Sequence, residues 1–161
     1  AAAAIEGPVY IRVVRNDVPD YTEANVPLEP GKLRVLKEEP SASVAILAHG
    51  VMVEQAVAAA DALKEEGIAA SVVNVATMKP FDYEGVAKLA KSVKASSTAE
   101  DHTYIGGLAS AAALALSRST TPRDFVAIND ECGQSAHSAD ELMAHYGLTS
   151  QAIVQKAKAL L

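Results

Sequence analysis

Residues 100–110, EDHTYIGGLAS, contain the groups required for two kinds of chemistry. His102 follows two carboxylates that can orient an imidazole for general acid–base catalysis. The glycine pair at 106–107 precedes an alanine-rich run, where backbone N–H groups at a helix start could face an anion. Structural roles are favoured, because Glu100 and Asp101 could cap the following backbone and the glycines could simply form a tight turn. The stretch matches neither of the glycine-rich nucleotide fingerprints.

Two further kinds of site involve the single cysteine. A zinc ion accepts a mixture of ligands such as His102, Asp130, Cys132 and His137. Cys132 could also act as a nucleophile with His137 or His102 as its base, although a small thiol more often packs. With one cysteine and no paired histidines, we predict no metal site and assign no catalytic residue. His49 and His145 are predicted to pack or cap.

Composition limits the class of protein. The 161 residues are 50% hydrophobic, which suits one compact domain with a continuous core. A net charge of −6 disfavours nucleic acid and anionic membranes as partners. No apolar run approaches the roughly 18 residues of a membrane span, and one cysteine cannot form an internal disulfide. We therefore expect a soluble, cytoplasmic protein.

The elements that must position these residues alternate between strand and helix. Strands are predicted for 9–14, 32–36 (an edge strand), 43–50, 70–75, 96–99 and 124–130. The last four are centred about 25 residues apart, the length of a strand–helix–strand crossover. We predict an α/β fold of three layers, a mostly parallel sheet of four to five strands with helices on both faces. Ligands gather beyond the carboxyl ends of such strands, here His49–Gly50, Thr77–Lys79, Glu100–His102 and Asp130–Gly133.

Six segments in order resemble one enzyme family. They are EGPVYIRVVR, AILAHGVMVEQAVAAADALKEEGIAASVVNV, KPFD, EDHTYIGGLAS, IND-x-x-G-x-S and ELMAHYGLT. Together, over residues 7–161, they are similar to the C-terminal part of transketolase-like, thiamine-diphosphate-dependent enzymes. The resemblance is greatest to split transketolases, in which this part is a separate subunit.

The resemblance implies a division of labour between domains. Residues 1–31 would be the end of the pyrimidine-binding domain and a crossing segment, and residues 32–161 the transketolase C-terminal-like domain. Thiamine diphosphate and Mg²⁺ would lie in the complete enzyme on domains that this chain lacks, so we expect the chain alone to bind neither and to be inactive. Its implied roles are domain packing, dimerisation and the rim of a substrate channel. Its implied partners are the thiamine-binding domains or subunit, in a homodimer or heterotetramer, and sugar phosphates between which a two-carbon ketol unit is transferred.

The resemblance also implies one substrate contact. Arg15, in VVRNDVP, matches a family arginine that binds the phosphate of a sugar phosphate, a task suited to a guanidinium. The alternative is an arginine paired with Asp17 or Asp20. His102 is a second, weaker candidate at the channel rim.

Several departures from the family pattern leave other functions open. The family tends to have glycine at Ala109 and Ala136, an aromatic residue at Cys132, and an apolar strand where KASSTA (residues 94–99) stands. These changes weaken any ligand site at 100–107 or 130–135. The alternatives are a free-standing α/β module that binds a nucleotide or other anion, and a small hydrolase using Cys132 and a histidine.

Overall fold

The computed structural model of the chain describes residues 1–15 and 17–161. After a short 3₁₀ turn, Ala2–Ala4, the strands are β1 (Arg34–Lys37), β2 (Val44–Ala48), β3 (Ala70–Asn74), β4 (Ala95–Thr103) and β5 (Arg123–Ile128). The helices are α1 (Met52–Glu65), α2 (Tyr83–Lys91), α3 (Leu108–Ala115), α4 (Ala139–His145) and α5 (Ser150–Ala159).

The five strands form one sheet in the order β1-β3-β2-β4-β5. β1 is an antiparallel edge strand, and the other neighbours are parallel. Because successive side chains of a strand point to opposite faces, the sheet has two separate cores. Ile46 faces α1 and α5 on one side, and Leu47 faces α2 and α3 on the other. The predicted three-layer α/β fold is confirmed.

β4 extends beyond its predicted range of 96–99. It begins at Ala95 and continues to Thr103, and its first six residues are buried. Polar side chains hid this length in the sequence, since a central strand is usually apolar. Hydrogen bonding to β2 on one side and β5 on the other holds the strand in place.

The strand predicted at 9–14 is wrong for this chain, because none of these residues belongs to the sheet. The side chains of Tyr10, Ile11 and Val13 are 89%, 64% and 80% exposed. A β-branched run favours an extended backbone, but a strand needs a neighbour, and the part of the chain that the structure describes supplies none here.

The strand order reverses between β2 and β4. The crossover through α1 places β3 on one side of β2, and the crossover through α2 returns the chain to the other side. The carboxyl ends of β2 and β4 therefore border the crevice of an open α/β sheet, where ligands usually bind. No helix in the described ranges is long and apolar enough to cross a bilayer.

Candidate functional site

The candidate site lies at this reversal point. His49 and Gly50 follow β2 there, and β4 brings Glu100 and Asp101 beside them. The parallel register pairs Ala48 with Ala99, so the residues that follow these two alanines emerge side by side. Groups that are distant in sequence thus become neighbours through the register of two parallel strands.

Glu100 occupies the start of α3. Its side chain is fully buried and accepts hydrogen bonds from the backbone N–H groups of Leu108, at 2.7 Å, and Ala109, at 2.8 Å. A carboxylate is favourable at the positive end of a helix, where these N–H groups have no partner within the helix. Of the roles left open by the sequence, Glu100 therefore has the capping role.

Gly107 makes room for this carboxylate. An ideal β-carbon at residue 107 would lie 2.0 Å from Glu100 Oε2 and 2.6 Å from the carbonyl oxygen of Thr103. Both distances are far shorter than a van der Waals contact. Because Glu100 takes two of the helix N–H groups, they are not available to an external anion, and the GGLAS segment does not form the phosphate cradle considered from the sequence.

His49 lies next to the same carboxylate. Its Nε2 atom is 3.9 Å from Glu100 Oε2, and it is buried with no hydrogen-bond partner among the described residues. The side chain is 17% exposed. This position agrees with the prediction that His49 packs against the strand ends.

An ion pair joins the N-terminal segment to β4. The guanidinium of Arg12 donates to Asp101 Oδ2 at 2.5 Å. Asp101 also passes close to Gly50, whose φ is +59°, and an ideal β-carbon there would be 3.3 Å from Asp101 Oδ1. The contact between Arg12 and Asp101 spans 89 residues of sequence, so no local pattern indicated it.

A cleft of about 410 Å³ opens beside this ion pair. Arg12, Arg15 and Asp101 line one part of it, and side chains around α4 line another, including Leu142, Met143 and Tyr146. The cleft thus combines two guanidinium groups with an apolar wall.

Arg15 is exposed and lines this cleft. Within residues 1–15 and 17–161, no carboxylate lies within 4.0 Å of its guanidinium, so pairing with Asp17 or Asp20 is not observed. Asp20 instead accepts hydrogen bonds from the N–H and hydroxyl groups of Thr22, which lower the pKa of its carboxyl. Among the described residues, no carboxylate therefore neutralises the charge of Arg15.

The other candidates from the sequence do not come together. His102 is exposed and is not among the described residues that line the cleft. Cys132 and His137 lie exposed in the loop between β5 and α4, where the hydroxyl of Tyr146 donates to the Cys132 carbonyl at 2.8 Å and the His137 N–H donates to Glu141. Cys132 is not the buried thiol considered from the sequence.

The described residues do not fit a metal–diphosphate group. They contain no cluster of three or more His, Cys, Asp or Glu side chains able to hold a metal ion. The helix start that could have held a phosphate is occupied by Glu100. No step of thiamine chemistry is therefore assigned to these residues.

Comparison with known proteins relates most of the chain to one family. The family described as "Transketolase, C-terminal domain" matches residues 31–153. The 6-deoxy-6-sulfo-D-fructose transketolase subunit SqwH of Clostridium sp. (strain MSTE9) is 41% identical over 155 residues, which are 96% of this chain and 47% of that protein. An apulose-4-phosphate transketolase subunit from Phocaeicola vulgatus is 34% identical, over 93% of this chain and 47% of its own length. The chain thus spans about half the length of these relatives.

A solved structure agrees with these sequence matches. The protein described as "Split gene transketolase, inactive beta4 tetramer" superposes with a TM-score of 0.91 at 43% identity, covering 99% of this chain and 52% of that one. The transketolase of Leishmania mexicana shares the fold, with a TM-score of 0.61 at 22% identity.

Proposed function

Because this chain belongs to the transketolase C-terminal domain family, we propose that it is the C-terminal portion of a transketolase-like enzyme that transfers a two-carbon ketol unit between sugar phosphates. The observation that carries the proposal is the match of nearly the whole chain to about half of split transketolase subunits. In this proposal the chain contributes domain packing, dimerisation and part of the substrate-channel rim. Thiamine diphosphate and Mg²⁺ are bound elsewhere in the complete enzyme, which we propose to be cytoplasmic.

The N-terminal segment supports the need for a partner. Tyr10, Ile11 and Val13 expose large apolar side chains that an isolated domain would normally bury. We propose that residues 1–31 complete a sheet in the pyrimidine-binding domain and then cross to the domain formed by residues 32–161. The ion pair of Arg12 with Asp101 supports this arrangement, since it holds the segment against the strand ends.

Arg15 is the residue proposed to contact substrate. It lines the cleft, and its guanidinium has five N–H donors suited to a phosphate. His102 is proposed only as a residue of the outer rim, since it is exposed at the end of β4. The chain itself contributes no catalytic acid, base or nucleophile in this proposal.

Association with a thiamine-binding section tests the proposal. The chain is expressed with an affinity tag together with the untagged thiamine-binding section and is purified on the tag. The molar mass of the eluate, measured by light scattering, distinguishes a homodimeric from a heterotetrameric assembly. We expect a stable complex that contains both parts. Recovery of the tagged chain alone, in a folded state, would contradict the proposal.

Two variants of the N-terminal segment and one matched control show whether this segment makes the contact. Ile11→Asp and Val13→Asp place charges on the exposed apolar segment and should prevent association, whereas Leu114→Asp, at a similarly exposed position on α3, should leave it intact. Equal loss of association in all three would contradict a role for the N-terminal segment.

A further inference from the structure

A cavity of about 230 Å³ lies on the face of the sheet opposite α1 and α5. It lies between β4 and β5 on one side and α2 and α3 on the other, away from the cleft that contains Arg15. Its wall is mostly apolar and includes Leu47, Val86, Leu89, Leu116 and Phe125.

The cavity exists because β4 and α3 both present small side chains to it. Ser96 and Thr98 of β4 point to this face, and their neighbours across the ladder are Arg123 and Phe125 of β5. α3 presents alanines to the same space, among them Ala112. No large side chain from either β4 or α3 enters the volume, which remains open in an otherwise packed layer.

The wall contains a buried hydroxyl, that of Thr98, without a hydrogen-bond partner among the described residues. Thr98 is 6% exposed, and its hydroxyl is buried with no hydrogen bond among the described residues. Thr98 lines the cavity, and rotation about χ1 moves its hydroxyl between staggered positions. A buried hydroxyl without a partner is unfavourable, and a ligand atom that bonds to it would remove that cost.

The charged groups at the edge of the cavity are already engaged. Arg123 donates to the carbonyl oxygen of Leu116 at 3.0 Å, near the end of α3. Asp124 accepts from the N–H of Phe125 and pairs with Lys156 at 2.9 Å. A ligand is therefore offered an apolar wall and the neutral hydroxyls of Ser96 and Thr98 rather than an uncompensated charge.

We propose that this cavity binds a small neutral amphiphile, an apolar body with one hydroxyl or carbonyl group that hydrogen-bonds to Thr98. Size supports this class, because an apolar cavity of roughly 150 Å³ accommodates benzene and a cavity of 230 Å³ accommodates a substituted ring. The exposed residues of the wall, Ala113 and Arg123, mark the entrance. The site is independent of the proposed sugar-phosphate contact at Arg15.

Ligand-observed NMR titrations of the full-length protein, assembled with its thiamine-binding section, test this site with p-cresol, toluene and benzoate. We expect saturable binding of p-cresol and toluene, with p-cresol binding more tightly and benzoate more weakly than either. Thr98→Val preserves the shape of the side chain and should weaken p-cresol roughly fivefold while leaving toluene unchanged. Absence of saturable binding to the wild-type protein, or a preference for benzoate, would overturn the proposal.

Two further variants place the site within the chain. Ala112→Leu fills the cavity and should weaken both neutral probes by more than tenfold, and Ala113→Leu should do the same from the entrance without crowding the core. Ala58→Leu, on the exposed side of α1, is the matched control and should change neither. Unchanged binding in Ala113→Leu and in any folded Ala112→Leu protein would place the probes elsewhere and overturn the assignment.

Discussion

The Glu100 carboxylate lies where a side chain at residue 107 would have to be. An ideal β-carbon on Gly107 would approach Oε2 of Glu100 to 2.0 Å. The same oxygen accepts the N–H of Leu108 at 2.7 Å, so it cannot withdraw without losing that bond. The two residues, close together in sequence, fix how β4 turns into α3 at the candidate site.

Gly107→Ala should therefore destabilise the protein strongly. The added methyl group must displace either the buried Glu100 carboxylate or the Thr103 carbonyl, and we expect a loss of about 2–4 kcal/mol in the free energy of unfolding. Urea denaturation followed by circular dichroism measures it. Gly133→Ala is the matched control, because a β-carbon there meets nothing within 4 Å, and it should change stability by less than about 0.5 kcal/mol. Similar losses in the two variants would contradict the steric explanation.

Stability should depend on pH through Asp82, which caps α2. Burial alone raises the pKa of this carboxyl, but hydrogen bonds from the N–H groups of Gly85 and Leu33, with Lys32 nearby, outweigh it and hold the pKa below its ordinary value of 3.8. A lowered pKa in the folded state means that the unfolded chain binds the proton more tightly. The stabilisation is thus fully present above pH 3.8 and is lost as the pH falls through the folded pKa.

The comparison of wild type with Asp82→Ala isolates this contribution. The variant should be less stable by about 1–2 kcal/mol at pH 7, because it loses the helix cap, and the difference should shrink below about pH 4. Chemical denaturation between about pH 2.5 and pH 7 gives both values. A difference that is constant over this range would show that the charge of Asp82 contributes nothing.

Loss of the Arg12–Asp101 ion pair should release the N-terminal segment without unfolding the domain. The pair is partly exposed, with 47% of the Arg12 side chain accessible, so we expect Asp101→Asn to cost less than about 1 kcal/mol. Cleavage by trypsin after Arg12 should nevertheless become roughly threefold faster, since the bound guanidinium is freed. Asp61→Asn breaks the ion pair with Lys37 on the outer surface and should leave that cleavage unchanged.

Arg15→Ala should affect phosphorylated substrates selectively. Loss of a charge-assisted contact to phosphate predicts an increase in KM of roughly 10- to 100-fold for phosphorylated acceptors, with little change for unphosphorylated ones. Steady-state kinetics of the assembled enzyme measure both. Arg118→Ala, an exposed arginine after α3, is the control. An equal effect of Arg15→Ala on both kinds of acceptor would exclude a phosphate contact.

The sequence predicted the sheet better than the site. Apolar runs such as 43–50 identify buried strands directly, because their side chains face helices on both sides of the sheet. β4 was predicted too short because its buried residues include Ser97 and Glu100, whose polarity is typical of a surface. The prediction of a strand at 9–14 was wrong for the opposite reason. Its composition favours a strand, but the described residues contain no neighbouring strand with which it could pair.

Contacts at the site join residues whose closeness in space is not visible in local sequence patterns. The pairing of Arg12 with Asp101 spans 89 residues and depends on where β4 ends beside β2. The close approach of Glu100 to Gly107 is local, and the glycine before a helix was a usable signal, but spacing alone did not distinguish a capping carboxylate from an anion site. Arg15 as a phosphate ligand rested on family resemblance and stays a prediction.

The central claim is that this chain is one part of a transketolase-like enzyme and needs a thiamine-binding section for activity. Ketol transfer from a ketose phosphate to an aldose phosphate is measured with thiamine diphosphate and Mg²⁺ present, for the chain alone, for the thiamine-binding section alone and for the two combined. We predict transfer only for the combination, and its loss when thiamine diphosphate is omitted. Transfer by the chain alone, or an associated complex of folded parts that transfers nothing from any ketose phosphate tested, would contradict the account.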